Sequence, residues 1–233
     1  VKDHVFPVSS VDLRVVEGTH PFRESDHRQI EENWQDEVAA NPALFDGAMV
    51  FHRSLHFVDG VVTGEAHLVA YSTFLWWRRK NDRRGACHLF SYPVLVSADG
   101  ALVAIKMSEH TANPGQVYFA AGSLEAEDVT DGLCDIDGNM HREVMEETGF
   151  ELSRCNSGPH LHGLRLDRTV CLFKLYRFTL SATEMAARIE AHMKATDDNE
   201  VAGPVIIRSA DPAAHPYNPA MLPIIRWFFD QRS

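Results

Sequence analysis

Two Asp-Gly dipeptides, Asp59-Gly60 and Asp99-Gly100, constrain this chain more than any other feature. Each lies between two apolar runs. Ala48–Phe57 and Val61–Tyr71 flank the first, and His88–Ser97 and Ala101–Met107 flank the second. Asp-Gly supplies the two positive-φ residues of a tight hairpin turn, so both pairs of runs read as antiparallel strands. Helical signals stand elsewhere. Ile30, Trp34 and Val38 recur at four-residue spacing, which predicts a helix over 25–40 that stops at Asn41-Pro42. Ser181-Ala182-Thr183-Glu184 is a capping box, with Met185, Ile189 and Met193 on one face of the helix after it. A strand at Val11–Val16, others at Val117–Ala121, Thr169–Leu180 and Val201–Ile207, and a short helix over 224–230 complete the order. Hairpins interspersed with helices define an α+β chain, not a doubly wound parallel one.

Charge narrows the ligands. The formal net charge is −11 over 233 residues, which repels a phosphate backbone at long range and argues against a large nucleic acid. A small phosphate compound is still compatible, because a bound divalent cation inverts the local field. The four cysteines, Cys87, Cys134, Cys155 and Cys171, have no C-x-x-C spacing, so a structural zinc site is not indicated. Scattered thiols, no secretory signal and no apolar run of membrane-spanning length set the expectation of a cytoplasmic protein with no membrane partner. A homo-oligomer is left open.

The chemistry concentrates at Arg142-Glu143-Val144-Met145-Glu146-Glu147-Thr148-Gly149-Phe150. A helix over about 135–147 puts Glu143, Glu146 and Glu147 at i, i+3 and i+4, on one face. Gly149 falls where a left-handed C-cap is expected. Three carboxylates so close repel one another, and the negative end of the helix dipole adds to the strain. A hard divalent cation with oxygen ligands, Mg²⁺ or Mn²⁺, relieves both. The competing account is a solvated acidic helix end.

This string resembles the second half of the Nudix box, R-E-U-x-E-E-x-G-U with U apolar, at every defined position. Ala121-Gly122-Ser123-Leu124-Glu125, at a strand end, is similar to the Gly-Gly-x-x-Glu that opens that box. One departure stands out: the stretch from Gly122 to Arg142 is six residues longer than the pattern, so a loop is expected within 127–138. The spacing leaves open which acid pairs with the Arg. Asp128 is the candidate, with Asp135 and Asp137 as rivals. The layout before the box, from Asn41-Pro42-Ala43-Leu44-Phe45-Asp46-Gly47 through a hairpin and an aromatic segment, looks like that of animal Nudix proteins that hydrolyse UDP-sugars.

The resemblance implies an α/β/α sandwich with a mixed sheet (88–233) behind a small α+β extension (1–87). It implies metal-dependent hydrolysis of a diphosphate linkage in a nucleoside diphosphate-linked compound. UDP-sugars are the first candidates, with ADP-ribose, dinucleotides and coenzyme A as alternatives, and a non-catalytic binding or regulatory module as the reading of another class. Glu143, Glu146 and Glu147 are the expected metal ligands and catalytic groups, with Arg142 orienting them. Glu200, at the end of the acidic stretch 196–200, is a further ligand or base on this reading, against a plain surface loop. Lys106 balances phosphate charge or is simply solvated. Phe74-Leu75-Trp76-Trp77 is either core or a platform for a planar ring. The basic run 78–84 is either a solvated loop or a positive rim.

Overall fold

The structure, a computed structural model, describes residues 4–81, 84–109, 111, 113–196 and 200–231. The N-terminal part forms strands β1 (Val5–Val8) and β2 (Ser10–Val15), helices α1 (Pro21–Ser25) and α2 (His27–Ala40), a hairpin of β3 (Ala48–Val58) and β4 (Val61–Ala70), and helix α3 (Tyr71–Arg78). Strands β5 (His88–Val96), β6 (Leu102–Met107), β7 (Val117–Tyr118), β8 (Val129–Thr130) and β9 (Leu133–Cys134) lead to helix α4 (Ile136–Thr148). Then come β10 (Asn156–Ser157), β11 (Leu161–Leu166), β12 (Thr169–Arg177), α5 (Ala182–Ala195), β13 (Val201–Ile207) and α6 (Met221–Asp230).

Two mixed sheets result. The larger runs β1-β11-β12-β5-β6-β13, with β10 beside β12 and β7 beside β6. Its β12–β5 pairing is parallel and the others antiparallel. The smaller runs β3-β4-β2-β9-β8. Strand alternation shows how helices cover the larger sheet. On β12, Tyr176 donates to Met140 Sδ at 3.6 Å and Lys174 pairs with Asp137 at 3.2 Å, so α4 packs on that face. Phe173, of opposite parity, meets Trp227 of α6 with ring centroids 5.2 Å apart. The sheet is therefore layered between helices, as an α/β/α sandwich.

The smaller sheet is likewise two-sided. Val50 of β3 joins the main core, whereas Met49 and Phe51 face a second core with Phe22, Ile30, Phe74 and Trp77. The two parts expected from the sequence, 1–87 and 88–233, exchange strands. β1 pairs with β11 of the larger sheet, and β9 pairs with β2 of the smaller.

Several expectations shift. The helix expected over 25–40 begins at Pro21 and breaks at Asp26. His20 caps the first segment by accepting from Phe22 N at 3.2 Å, and Pro21 occupies its first turn. The aromatic run 74–77 lies in helix α3 and is buried. The extra residues before α4 are not an open loop: they fold as the β8–β9 hairpin, turning at Asp131 (φ 51°) and Gly132 (φ 75°). That is a third Asp-Gly turn, and the dipeptide was its visible signal. No helix among the described residues is long and apolar enough to cross a membrane.

Candidate functional site

Helix α4 is fixed at both ends. Asp135 caps it by accepting from Gly138 N at 2.8 Å. Gly149 ends it at φ 71°, donating its N–H to Met145 O. α5 closes over this end: His192 Nε2 lies 2.8 Å from Glu146 O, and a Cβ on Gly149 would come within 2.7 Å of the His192 ring. Ile136, Met140 and Val144 anchor the helix in the main core. Glu143 and Glu147, one turn apart, are turned into a cleft of about 1260 Å³ and are only 7% and 5% exposed.

Glu125 and Glu200 line the same cleft. Glu146 does not; its side chain is half exposed and accepts from Arg142 Nη1 at 3.1 Å. At 3.6 residues per turn Glu146 and Glu147 lie about 60° and 40° to opposite sides of Glu143, and the rotation of α4 on the core turns the Glu147 side to the cleft. Lys106 is exposed on β6 and is not among the residues lining the cleft, whereas its neighbour Met107 is. Strand alternation sends the two side chains to opposite faces.

Arg142 gathers the acids around it. It donates to Asp128 through Nη2 (2.9 Å) and Nε (3.3 Å), and its Nη2 lies 2.8 Å from Glu143 Oε1. Asp128 is buried and also accepts from Glu125 N (2.8 Å) and Asn139 Nδ2 (3.0 Å). Ser91 Oγ in turn donates to Asn139 Oδ1 at 2.7 Å. The two rivals for the Arg142 partner are engaged elsewhere: Asp135 caps α4 and Asp137 pairs with Lys174. Nothing local in the chain marks Asn139 or Ser91, whose roles depend on contacts between distant segments. Burial opposes the charge on Arg142, but Asp128, Glu143 and Glu146 outweigh it and raise its pKa. Burial raises Glu143 to about 8 against the pull of Arg142, reinforced by Glu146, Asp128 and Glu125.

Gly122 completes the site. A Cβ there would lie 2.3 Å from Glu143 Oε1, so only glycine leaves room for that carboxylate. This cradle, the all-oxygen donor set and the burial of like charges together suit a hard divalent cation. Among the described residues, no three His, Cys, Asp or Glu side chains are already drawn close enough to hold an ion.

Phe45, Phe74, Trp77 and Arg78 also line the cleft, whereas Leu75 and Trp76 do not; all four residues of 74–77 are buried in the second core. The rest of the basic run turns away: Arg79 pairs with Glu37, Lys80 sits over Trp76, and Arg84 pairs with Asp26. Asp82 and Arg83, like 197–199 in the acidic stretch, lie outside the described residues.

No protein-family model matches this chain, and no curated protein does. Among solved structures, it is similar to a Deinococcus radiodurans protein at 12% identity, over 61% of this chain and 83% of that one, with TM-score 0.44. It is similar to a MutT protein from Methanosarcina mazei Go1 at 14% identity, over 63% and 95%, with TM-score 0.41. It is also similar to a NUDIX hydrolase from Nitrosomonas europaea at 14% identity, over 63% and 88%, with TM-score 0.37.

Proposed function

We propose that this chain is a Nudix-type hydrolase that cleaves the diphosphate linkage of a nucleoside diphosphate-linked compound, with UDP-sugars as the first substrates to test. The observation that carries the reading is that Glu143, Glu147, Glu125 and Glu200 all line one cleft, with Glu143 held beside a part-buried Arg142–Asp128 pair.

Glu143 and Glu147 in the cleft, and Glu146 once its side chain is released from Arg142, are the residues that would hold Mg²⁺ or Mn²⁺, with Glu200 as a further oxygen ligand. Bound there, the cation would neutralise phosphate charge and make a water nucleophilic at neutral pH. Arg142 is a positioning residue: its guanidinium, shared among Asp128, Glu143 and Glu146, fixes the carboxylates relative to one another. Asp128 in turn is the fixed end of that clamp. Gly122 leaves the space Glu143 needs. The proton leaving the attacking water passes to a carboxylate oxygen at the cleft, and Glu125 and Glu200, both off the helix, are the two to separate by mutation. On this reading the elements of 1–87 that reach the cleft, the 41–47 loop and α3, bind the part of the substrate beyond the diphosphate.

The test is a panel of UDP-glucose, UDP-galactose, ADP-ribose, dinucleotides and coenzyme A, each with Mg²⁺ and with chelator. Expected is Mg²⁺-dependent cleavage of at least one UDP-sugar, abolished by chelator. Glu147→Gln keeps shape and loses charge, and should lower kcat on the order of 100-fold or more with Tm little changed. Faster cleavage of ADP-ribose or coenzyme A would leave the reaction class and replace the substrate. No metal-dependent cleavage of any member would favour a binding module.

A further inference from the structure

The last turn of α4 carries Glu146 and Glu147, and a helix end leaves its final carbonyls without intrahelical donors. Met145 O is served by Gly149 N at 3.0 Å. In a continuing helix Glu146 O would take Phe150 N. The left-handed turn at Gly149 sends Phe150 N instead to Thr148 Oγ1, at 3.3 Å. The donor that reaches Glu146 O comes from another element: His192 Nε2 of α5, at 2.8 Å. A carbonyl oxygen only accepts, so Nε2 carries a proton.

The ring is placed by both helices. His192 follows the fully buried Ile189 by three residues, at the edge of the core-facing stripe of α5. A Cβ at Gly149 would lie 2.7 Å from His192 Nδ1 and 2.8 Å from its Cγ. The glycine therefore answers two demands at once, a φ of 71° and room for this ring. His192 also marks the exit of α5. Its own carbonyl accepts from Thr196 N at 3.1 Å and from Thr196 Oγ1 at 3.2 Å, at the cap from which the chain leaves for Glu200. Glu200 is held by its backbone, with Glu200 O accepting from Ser108 N at 2.8 Å, one residue past β6. One residue thus touches the turn bearing Glu146 and Glu147 with its ring, and with its carbonyl starts the segment bearing Glu200.

We infer that His192 is a positioning residue for the carboxylate site: its bond to Glu146 O ties the last turn of α4 to α5, and so sets Glu146 and Glu147 at a fixed spacing from Glu200. The bond is exposed, so water satisfies the Glu146 carbonyl when the ring is removed, but that water has no hold on α5. Carboxylates that close on one small divalent ion are sensitive to such spacing, because Mg²⁺ demands near-ideal octahedral geometry. The inference rests on the metal-site reading of these carboxylates.

The test uses the full chain with His192→Ala and, separately, His192→Gln, which keeps an N–H donor at a similar reach. Three readouts are taken: amide hydrogen exchange over 146–149, Mn²⁺ affinity without substrate by titration calorimetry, and kcat and KM for the best diphosphate substrate with Mg²⁺. His192→Ala is expected to speed exchange of that turn, to weaken Mn²⁺ binding about tenfold and to lower kcat to a similar degree, with KM nearly unchanged. His192→Gln is expected to restore most of all three, which a role in packing alone would not allow. In a chain that binds Mn²⁺, unchanged Mn²⁺ affinity and kcat in His192→Ala overturn the inference, and so does a His192→Gln variant that loses as much as His192→Ala. If the unmodified chain binds no Mn²⁺ and cleaves no diphosphate, yet exchange rises in His192→Ala and is restored in His192→Gln, the anchor stands and the hydrolase reading falls. Unchanged exchange in such a chain overturns both.

Discussion

At the scale of single residues, the site depends on two that are neither proposed metal ligands nor proposed proton carriers. Gly122 leaves room for the Glu143 carboxylate. Gly122→Ala should displace that carboxylate and lower kcat on the order of 100-fold, because misplacement by about 1 Å is enough for such a loss. The rest of the cradle is unaltered, so Tm should stay within a few degrees. Asp128 is the buried counter-charge of Arg142. Asp128→Asn leaves that guanidinium half-compensated, and urea unfolding should show a loss of about 3 kcal/mol, typical of a broken buried pair. Glu146 separates two roles. If it serves only to hold Arg142, Glu146→Gln retains most activity; if it holds metal as proposed, Glu146→Gln loses activity nearly as Glu147→Gln does, and a Mg²⁺ titration shows a raised requirement.

At the scale of elements, three hairpins turn at Asp-Gly, the first and third with a positive-φ Asp and the second, a wider loop, only at Gly100 (φ 78°), and the third has the most direct bearing on the site. The β8–β9 hairpin lies between Asp128 and Asp135, so it links the acid that holds Arg142 to the cap of α4. Asp135 N also donates to Asp128 O at 2.7 Å, closing the hairpin at its base. Gly132→Val puts a β-branched side chain at φ 75°. It should lower Tm and raise KM for the diphosphate together, measured by thermal denaturation and steady-state kinetics. Helix α5 offers the contrast. Ser181→Ala removes its cap, in which Ser181 Oγ accepts from Glu184 N at 3.3 Å, and should cost about 1 kcal/mol without touching kcat.

At the scale of the whole molecule, the two parts share a core. Val8, Leu13, Val50, Val62 and Ala66 from the N-terminal part are buried with the strands of the C-terminal part. A fragment of 88–233 should therefore lack a cooperative thermal transition, as seen by calorimetry. Buried histidines make the assembly pH-sensitive. Burial pushes His52 down to about 4, and burial with His67, Arg53 and Arg84 does the same to His20. Above the ordinary histidine pKa both states are neutral and neither group affects stability. As pH falls from about 6.5 to 4 the unfolded chain takes up protons that the native chain refuses, so stability is lost across that window. For His52, 0% exposed, the loss is on the order of 3 kcal/mol by pH 4, and His52→Leu should flatten the pH dependence of urea unfolding there.

The sequence by itself determined what is local. Turn chemistry gave the Asp59-Gly60 and Asp99-Gly100 hairpins, a capping box gave the start of α5, and spacing along a helix put Glu143 and Glu147 one turn apart. Each depends on residues within a few positions of one another, so the chain carries the information in order. What the tertiary structure decided is which distant segments meet. It brought Asn139 and Ser91 to Asp128, Glu125 and Glu200 to the cleft, and β1 to the far side of the larger sheet. It also turned Lys106 away and put Glu146 on the flank of α4 rather than in the cleft. Those outcomes depend on strand order and helix rotation, which packing of the shared core sets and no run of neighbouring residues encodes.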